Sequence, residues 1–194
     1  VERMIKSKGD YIHHLIKDKE ALGIARNNPK LFGDEVWKFQ RILRKYEYLS
    51  NCRPYGRFTC VPLLFTRYKF HALSLRLGFT IPINVFGPGL AIVHYGTIVV
   101  SSGAQIGKNC RIHEGVTIGA TNGSSRAAIL GDNVFIGSGA KIIGEVSIPS
   151  NVAIAANAVV VKDVVCGPHG CTVGGVPAKI ISHNNSSSNI FIVN

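Results

Sequence analysis

His94 is the residue whose type and position most directly suggest chemistry. An imidazole titrates near neutral pH and can accept the proton of a hydroxyl group that attacks an electrophile. From Val100 onward an aliphatic residue recurs at every sixth position, and His94 stands where the next one would fall towards the N-terminus. A titratable ring in an otherwise aliphatic series needs a reason, and the two hypotheses are a functional histidine that accepts a proton and a hydrogen-bonded structural histidine.

His113 is a second candidate. If three six-residue repeats form one coil, residues eighteen apart stack, so His113 lies one coil beyond Tyr95 and Glu114 one coil beyond Gly96. Stacked strands are about 4.8 Å apart, which would bring His113 near His94 and let it contact an acceptor molecule. An exposed turn is the alternative position for His113.

No metal site is expected from these residues. A zinc site made of histidines needs three that are suitably placed, and the repeats offer only His94 and His113 before His169. Cys166 and Cys171 flank His169, but they lack a fourth ligand and match no common zinc spacing. The five cysteines are an odd number in a chain that begins without an apolar run, so we expect reduced thiols and a cytoplasmic protein.

A six-residue period organises the region after residue 100. It is carried by ten aliphatic residues with one position skipped at Ser124: Val100, Ile106, Ile112, Ile118, Leu130, Ile136, Ile142, Ile148, Ile154 and Val160. Neither a helix nor a simple strand has this period, which is typical of a stacked β-solenoid. The skipped position predicts a loop extruded over 121–128.

Residues 1–79 are predicted to be helical. Asp34 is a candidate N-cap for a helix whose apolar residues run from Val36 to Leu49 at helical spacing. A further helix is predicted over 62–77, and an earlier one around 10–25. After the solenoid, the polar tail 182–194 is expected to be flexible.

The helix over 62–77 combines an apolar set with basic residues. The apolar positions are Leu64, Tyr68, Ala72 and Leu75, and the basic ones in and near the helix are Arg57, Arg67, Lys69 and Arg76. We expect the apolar set to pack against the protein and the basic residues to form a solvated face. Binding to a membrane surface is the alternative that such a helix leaves open.

The overall charge favours anionic partners. Lys and Arg outnumber Asp and Glu by 22 to 11, giving a net charge of +11. Such a balance suits nucleic acids, anionic membranes or phosphate-bearing small molecules, although it can also serve solubility alone. No nucleic-acid recognition motif accompanies the charge, and no apolar stretch is long enough for a transmembrane helix.

Three motifs resemble a known family. They are Gly87-Pro-Gly89-Leu-Ala-Ile-Val-His94-Tyr-Gly96, Val116-Thr-Ile-Gly-Ala-Thr121 and Val173-Gly-Gly-Val-Pro-Ala-Lys179. They are similar to those of hexapeptide-repeat acyltransferases, and more narrowly to serine O-acetyltransferases, especially the short forms associated with polysaccharide biosynthesis. The match covers residues 80–181.

The resemblance implies a fold and an assembly. The fold is mainly β, a left-handed parallel β-helix over 80–181 that follows a helical N-terminal segment. The chain would form a homotrimer with active sites between adjacent subunits, and further pairing of trimers is left open. The reaction would transfer acetyl from acetyl-CoA to a hydroxyl-bearing acceptor, with His94 as general base and no metal.

The sequence departs from the serine enzymes around the acceptor. Their aspartate directly before the catalytic histidine is Val93 here, and their second aspartate, fifteen residues upstream, corresponds to Phe79 or, with a one-residue shift, Thr80. Their Arg-His pair is Arg126-Ala127 here. We therefore expect the residues for acetyl transfer to be retained and the pocket that binds serine to be altered. An arginine can hold a carboxylate with two parallel hydrogen bonds, and the candidates for acceptor binding are Arg126, His113 and Tyr95.

The resemblance also implies a binding groove for coenzyme A. Small residues would expose backbone groups to the pantetheine arm, and lysines would meet the phosphates. The matching positions are Ala120, Thr121, Ser138, Gly139 and Ala156 for the arm, with Lys162 and Lys179 for the phosphates.

These patterns leave three functional hypotheses. The first is a serine O-acetyltransferase-like enzyme. The second is an O-acetyltransferase acting on a saccharide in surface polysaccharide biosynthesis, which the altered pocket would suit. The third is a basic scaffold without enzymatic activity that binds membranes or nucleic acid.

Overall fold

The computed structural model describes residues 4–52, 60–121 and 123–190. Its N-terminal part contains three helices, α1 (Lys8–Ala21), α2 (Glu35–Cys52) and α3 (Cys60–Leu77). The hydroxyl oxygen of Ser7 caps α1 by accepting from the N–H of Asp10. The positions of the helices agree with the sequence pattern.

Asp34 does not cap α2 with its side chain as predicted. Its carbonyl oxygen accepts from the N–H of Lys38, but its carboxylate accepts from the N–H of Lys30 and from the Arg26 guanidinium. The carboxylate therefore closes the preceding loop.

A parallel β-helix follows α3. Its strands are β1 (Phe79–Thr80), β2 (Ala91–Ile92), β3 (Ile98–Val100), β4 (Gln105–Ile106), β5 (Arg111–Ile112), β6 (Thr117–Gly119), β7 (Ile129–Leu130), β8 (Phe135–Ile136), β9 (Lys141–Ile143), β10 (Ser147–Ile148), β11 (Ala153–Ile154), β12 (Val159–Val160), β13 (Thr172–Gly174) and β14 (Lys179–Ser182). They form three sheets, in the orders β1-β3-β6-β9-β12, β10-β7-β4 and β14-β13-β11-β8-β5-β2.

Coils of three strands stack with the predicted spacing. Ile129 pairs with Ser147, and Lys141 pairs with Val159, each at an offset of eighteen residues. All ten aliphatic residues of the six-residue series point inward and are at most 3% exposed. The six-residue period is therefore the period of the apolar interior.

The extruded loop is confirmed in outline. Ile106 pairs with Leu130, an offset of 24 residues, so this coil contains one extra hexapeptide. Ala127 and Ala128, at the end of the predicted loop 121–128, are buried in the coil. The loop is therefore shorter than predicted, and residue 122 lies outside the described residues.

Arg44 joins the helices to the first coil. Its side chain is fully buried and donates to both carboxylate oxygens of Asp18, to Glu47, and to the carbonyl oxygens of Phe86 and Gly87. These five bonds use all five N–H donors of the guanidinium. Burial disfavours the charge, but Asp18 and Glu47 more than offset it and raise the pKa of Arg44.

The acidic partners of Arg44 also hold the coil backbone. Asp18 accepts from the N–H groups of Gly89 and Leu90, and Glu47 accepts from that of Asn84. Gln40, one turn before Arg44, donates to the carbonyl of Leu90 and accepts from the N–H of Ile92. The segment that leads into His94 is therefore held by side chains of α1 and α2.

The apolar set of α3 faces away from the protein, contrary to our expectation. Leu64, Tyr68 and Leu75 are 60–71% exposed. The opposite side of the helix packs inward through the buried Thr66 and Leu77. Helical spacing correctly grouped these residues on one face, but the other face of α3 is the one that meets the fold. Arg57 lies outside the described residues.

Residues of the C-terminal segment contact the last coils, and the flexibility expected over 182–194 stays a prediction. Strand β14 pairs antiparallel with β13, and the buried Ser186 donates its hydroxyl to the carbonyl of Asn133. The N–H of Ser186 is also bonded to the carbonyl of Asn151. The tail is therefore packed along the last coils.

The prediction of reduced thiols is wrong for one pair of cysteines. Cys166 and Cys171 form a disulfide, with Cα atoms 5.7 Å apart. Their spacing in the loop before β13 brings the two side chains together. Cys110 is buried, and burial raises the pKa of its thiol to about 12, so it stays protonated at neutral pH.

No helix in the described ranges is long and apolar enough to cross a membrane. This agrees with the sequence-based prediction.

The Arg44 network predicts a large effect on stability. Arg44→Ala should lower the free energy of unfolding by about 3–5 kcal/mol, because it leaves buried carboxylates without their cation. Lys45→Ala, at the exposed neighbouring position, should change it by less than about 0.5 kcal/mol. Urea unfolding of the three chains measures the difference, and equal midpoints for both variants would contradict it.

Candidate functional site

His94 lies in an exposed corner of the first coil. Ile92 pairs with Ile112, twenty residues away, whereas Val99 pairs with Thr117, only eighteen residues away. The corner between β2 and β3 therefore contains two residues more than the corner below it. His94 is exposed there and does not occupy an inward-facing position of the repeat.

The backward extension of the repeat to His94 was therefore wrong. Two extra residues shift the register, and Ile92 and Ile98 are the buried aliphatic residues on either side of this corner. The extra length lets the chain bulge outward, which exposes His94 and Tyr95. His94 therefore does not replace an interior aliphatic residue. Its side chain is exposed, so a substrate can reach it.

The next coil places His113 and Glu114 beside His94. One ligand atom from each of the three side chains lies within 4.8 Å of the other two. The rings of His94 and His113 are 5.9 Å apart between centroids, and His113 also makes an edge contact with Phe135 at 5.2 Å. The structure thus brings His113 to His94, as predicted.

Glu114 lies directly against the backbone of this corner. A Cβ atom at Gly96 would lie 3.0 Å from the Cβ of Glu114, so a side chain at 96 would crowd the carboxylate. Glu114 Oε2 is 3.9 Å from His113 Nδ1. Among the described residues, the buried atoms Glu114 Oε2 and His113 Nε2 have no hydrogen-bond partner. These atoms are therefore available to a ligand.

The electrostatics of the cluster favour one charged and one neutral group. A hydrogen bond with Ser138, helped by His94 and His113, holds the pKa of Glu114 below its usual value. Partial burial and the cation of Arg111 lower the pKa of His113 against the smaller opposing effect of Glu114. At neutral pH the cluster therefore contains a carboxylate and a neutral His113 imidazole.

Three donor atoms at these distances could also hold a metal ion. At this site our expectation of no metal counted only His94 and His113, and the carboxylate of Glu114 supplies a third candidate ligand. Two histidines and a glutamate form a known catalytic zinc set. The absence of a metal therefore stays a prediction.

Small residues continue from His94 along the same corner of the β-helix. The N–H of Gly139 is bonded to the carbonyl of Glu114, and the N–H of Asn157 to the carbonyl of Ser138. Ser138, Gly139 and Ala156 therefore stack below Glu114, one coil after another. A Cβ at Gly139 would lie 2.2 Å from Asn157 Oδ1, so coil packing alone already requires this glycine.

The corner leads towards Lys179. The N–H of Val159 is bonded to the carbonyl of Gly175 and that of Ala178 to the carbonyl of Val159, so the closing motif lies under Ala156. Lys179 begins β14 and is exposed. Four coil steps of about 4.8 Å separate the His94 corner from this end, about 19 Å in total.

The remaining predicted cofactor residues lie at a different corner. This second corner is the one at which β6, β9 and β12 end. Ala120 and Thr121 follow β6, Gly144 follows β9, and Lys162 follows β12. Gly144 lies against Thr121 and donates its N–H to the carbonyl of Gly119. Within one chain the structure therefore divides the predicted cofactor residues between two corners.

Arg126 lies in the extruded loop, away from the cluster. Its Nε atom is 3.1 Å from Glu145 Oε2, and 80% of its side chain is exposed. The hydroxyl of Ser124 donates to the same glutamate. Within one chain, Arg126 is thus held by Glu145 and is not brought to His94.

A cavity of about 370 Å³ borders the His94 corner. It lies between the α1–α2 connection and β2, and its lining residues include Asp34, Glu35, Trp37, Val93 and Tyr95. Val93 and Tyr95 precede and follow His94 in the chain and both line this cavity, whereas His94 is not among its lining residues. The volume falls within the range of small-molecule sites, roughly 300–1,000 Å³.

The positions that replace the second family aspartate do not contribute to the cluster. Phe79 is buried in β1 and makes an edge contact with Phe39, whereas Thr80 is exposed. The carboxylate near His94 comes instead from Glu114 of the following coil.

Sequence reasoning missed two groups of residues. Glu114 was noted only as a stacking position, because an offset of eighteen places it under Gly96 rather than His94. The helical residues Asp18, Gln40, Arg44 and Glu47 were not singled out. Their signal was available in α2, where polar residues at 40, 44 and 47 share a face with buried Leu43.

Comparison with known proteins shows similarity to serine acetyltransferases. No protein-family model matches the chain. The serine acetyltransferase of Synechococcus elongatus is 41% identical over 97 residues, which are 49% of this chain and 38% of the relative. That of Mycobacterium tuberculosis is 38% identical over 108 residues, 55% of this chain and 46% of the relative. The chain thus spans less than half the length of these relatives.

Solved structures extend the similarity to most of the chain. Serine acetyltransferase from Brucella abortus superposes with a TM-score of 0.68 at 28% identity, covering 93% of this chain and 72% of that one. Its complex with coenzyme A gives 0.69 at 29% identity, covering 92% and 70%. The resemblance to serine acetyltransferases is therefore confirmed, together with the β-helix and its helical N-terminal part.

The environment of His113 predicts a pH-dependent stability. Because its pKa is lowered in the folded chain, the unfolded chain binds a proton more readily, and the free energy of unfolding should fall as the pH drops below about 6.5. His113→Asn should reduce this loss, whereas His169→Asn, at an exposed loop position, should leave it unchanged. Urea unfolding at pH 7 and pH 5 measures both, and equal losses in all three chains would contradict the prediction.

Proposed function

We propose that the chain is an acetyl-CoA-dependent O-acetyltransferase of the serine O-acetyltransferase type, with His94 as its general base. The observation that carries the proposal is the row of small residues that runs along one corner of the β-helix, from the exposed His94 towards Lys179. The similarity in fold to a serine acetyltransferase crystallised with coenzyme A supports it. A cytoplasmic location stays a prediction.

The chemistry requires one proton transfer in each direction. A neutral His94 nitrogen accepts the proton of the acceptor hydroxyl while the hydroxyl oxygen attacks the thioester carbonyl. The carbon–sulfur bond then breaks, and the imidazolium returns the proton to the leaving thiolate. The products are an acetyl ester and coenzyme A with a free thiol. Glu114 lies where it can stabilise the transient imidazolium and orient the ring.

The donor would lie along this corner of the β-helix. The thioester would be at the His94 end, and the pantetheine arm would pair with backbone groups next to Ser138, Gly139 and Ala156. Lys179 at the far end would meet the phosphates. Ala120, Thr121 and Lys162 lie at another corner of the same chain, so they would act on a donor only from a neighbouring subunit.

This division supports a proposal about the assembly. A homotrimer of left-handed β-helices would set one corner of each subunit against a different corner of the next. The two sets of predicted cofactor residues would then face each other across the interface. Arg126 is distant from His94 in its own chain, but in such a trimer it would be able to reach the active site that contains His94 of the neighbouring subunit.

The identity of the acceptor divides the proposal into two candidates. Free serine is the acceptor that the relatives' names indicate. A saccharide hydroxyl is favoured by the cavity beside His94, whose lining contains Asp34, Glu35 and the aromatic ring of Tyr95 but no Lys or Arg. Asp34 is paired with Arg26 and Glu35 with Lys38, and a carboxylate in such a pair can still accept hydrogen bonds from sugar hydroxyls.

The first experiment measures thiol release from acetyl-CoA with serine and with a panel of sugars offered separately. We expect release that depends on an acceptor and falls at least about 100-fold in His94→Ala, since general bases typically contribute 10²–10⁴-fold. His71→Ala, at an exposed position of α3, serves as the matched control and should retain full activity.

The acceptor that supports release selects between the two candidates. Release only with serine would establish the serine enzyme, and release only with a sugar would establish the saccharide enzyme. Release that survives in His94→Ala would contradict the role of His94. A chain that binds no acetyl-CoA would instead favour the third hypothesis, a basic scaffold without enzymatic activity.

The role of Glu114 can be tested through the rate. Glu114→Gln should lower kcat by about tenfold, because an amide cannot balance the positive charge that forms on the His94 ring during the reaction. The KM for acetyl-CoA should not change. Glu20→Gln makes the same substitution on α1, where Glu20 pairs with Lys17, and should leave kcat unchanged. An unchanged kcat in Glu114→Gln would show that the carboxylate does not act on the base.

A further inference from the structure

Helix α3 is apolar on two opposite sides, and the protein covers only one of them. Its inner side packs through Thr66, Phe70, Leu73 and Leu77. Its outer side presents large apolar side chains that are 57–71% exposed, which we call the outer stripe: Val61, Leu64, Phe65, Tyr68 and Leu75. A helix that is hydrophobic all round is normally buried all round. The outer stripe is therefore a surface that a partner would cover.

The charges of α3 indicate the chemistry of that partner. The helix contains no Asp or Glu. At 100° per residue, Lys69 and Arg76 lie along one edge of the outer stripe and Arg67 along the other. The ammonium group of Lys69 lies 4.4 Å from the ring centroid of Phe65. An apolar stripe between two rows of cations is the pattern of helices that lie in a membrane interface.

A depression beside the stripe combines the same two properties. It has a volume of about 490 Å³ and is lined by Tyr46, Leu64, Arg67, Tyr68, Phe70 and His71. Its arginine stands next to aromatic and aliphatic surface, which matches a phosphate group attached to an acyl chain.

We propose that α3 binds the surface of a bilayer that contains anionic phospholipids. The outer stripe enters the interfacial region, and Arg67, Lys69 and Arg76 lie at the level of the phosphates. The net charge of +11 draws the chain towards such a surface. Since no helix in the described residues could span a bilayer, the contact is at the surface.

The same charges disfavour the main alternative occupant. If two copies of the chain paired through their outer stripes, each helix would bring Arg67, Lys69 and Arg76 to the contact. Neither helix would supply an acidic residue to balance them. A lipid surface satisfies the cations and the apolar stripe together.

Co-sedimentation of the whole chain with large unilamellar vesicles tests the proposal. We expect binding to vesicles of phosphatidylcholine with phosphatidylglycerol, little binding to phosphatidylcholine alone, and weakening as salt screens the cations. The double variant Leu64→Ser with Phe65→Ser should bind at least about tenfold more weakly. The double variant Lys69→Glu with Arg76→Glu should lose the preference for phosphatidylglycerol.

Matched controls distinguish binding through α3 from nonspecific apolar and electrostatic binding by other parts of the surface. Leu31→Ser with Phe32→Ser removes two exposed apolar side chains from the α1–α2 connection, and Lys108→Glu reverses a charge on the β-helix; both should bind like the parent. All substituted side chains are exposed, and circular dichroism melts check that each variant folds. Thiol release in the absence of vesicles should be unchanged in the variants of α3.

Three results would overturn the proposal. One is the absence of any binding to phosphatidylglycerol vesicles by the parent chain. Another is binding that survives both α3 double variants. The last is a parent chain that does not bind vesicles, combined with a molecular mass in solution that is lower for Leu64→Ser with Phe65→Ser than for the parent. This result would assign the outer stripe to a contact between copies.

Discussion

The buried guanidinium of Arg44 is the interaction on which the rest of the structure depends. It connects two helices to backbone carbonyls of the first coil, and its acidic partners bind backbone N–H groups of the same segment. The first coil has no preceding coil to pair with, so its polar backbone groups need other partners. The helical segment supplies them. The corner that presents His94 follows directly from this region, so side chains far from the chemistry define its starting point.

The β-helix could be predicted from sequence because its repeat is a packing requirement. Every inward position of a coil must be filled by an aliphatic side chain, so the period appears directly in the residues. The same period predicted the wrong register for His94. The two extra residues of its corner precede Val100, where the aliphatic series begins, so the series does not reveal them. Glu114 has the predicted register beside Gly96, but that register alone did not relate its carboxylate to His94. Where the coil is regular the sequence predicts register, and where it bulges the register depends on backbone pairing.

The helices show another limit of sequence reasoning. Spacing groups Leu64, Tyr68 and Leu75 on one face of α3, but it cannot tell which of two apolar faces meets the protein. That choice depends on how α3 packs beside α2, where Phe70 contacts Phe39 and Tyr46. The disulfide between Cys166 and Cys171 also depends on a loop conformation that spacing does not determine. Pairwise geometry, rather than composition, decided each of these features.

The way the coil stack ends has a consequence for solubility. A parallel β-helix exposes unpaired backbone groups at both ends, and each end is a template on which another molecule could continue the stack. The helical segment occupies one end here. At the other, β14 reverses direction against β13, and the segment around Ser186 is bonded back to Asn133 and Asn151. The chain thereby interrupts its own repeat, which guards it against growth into fibres.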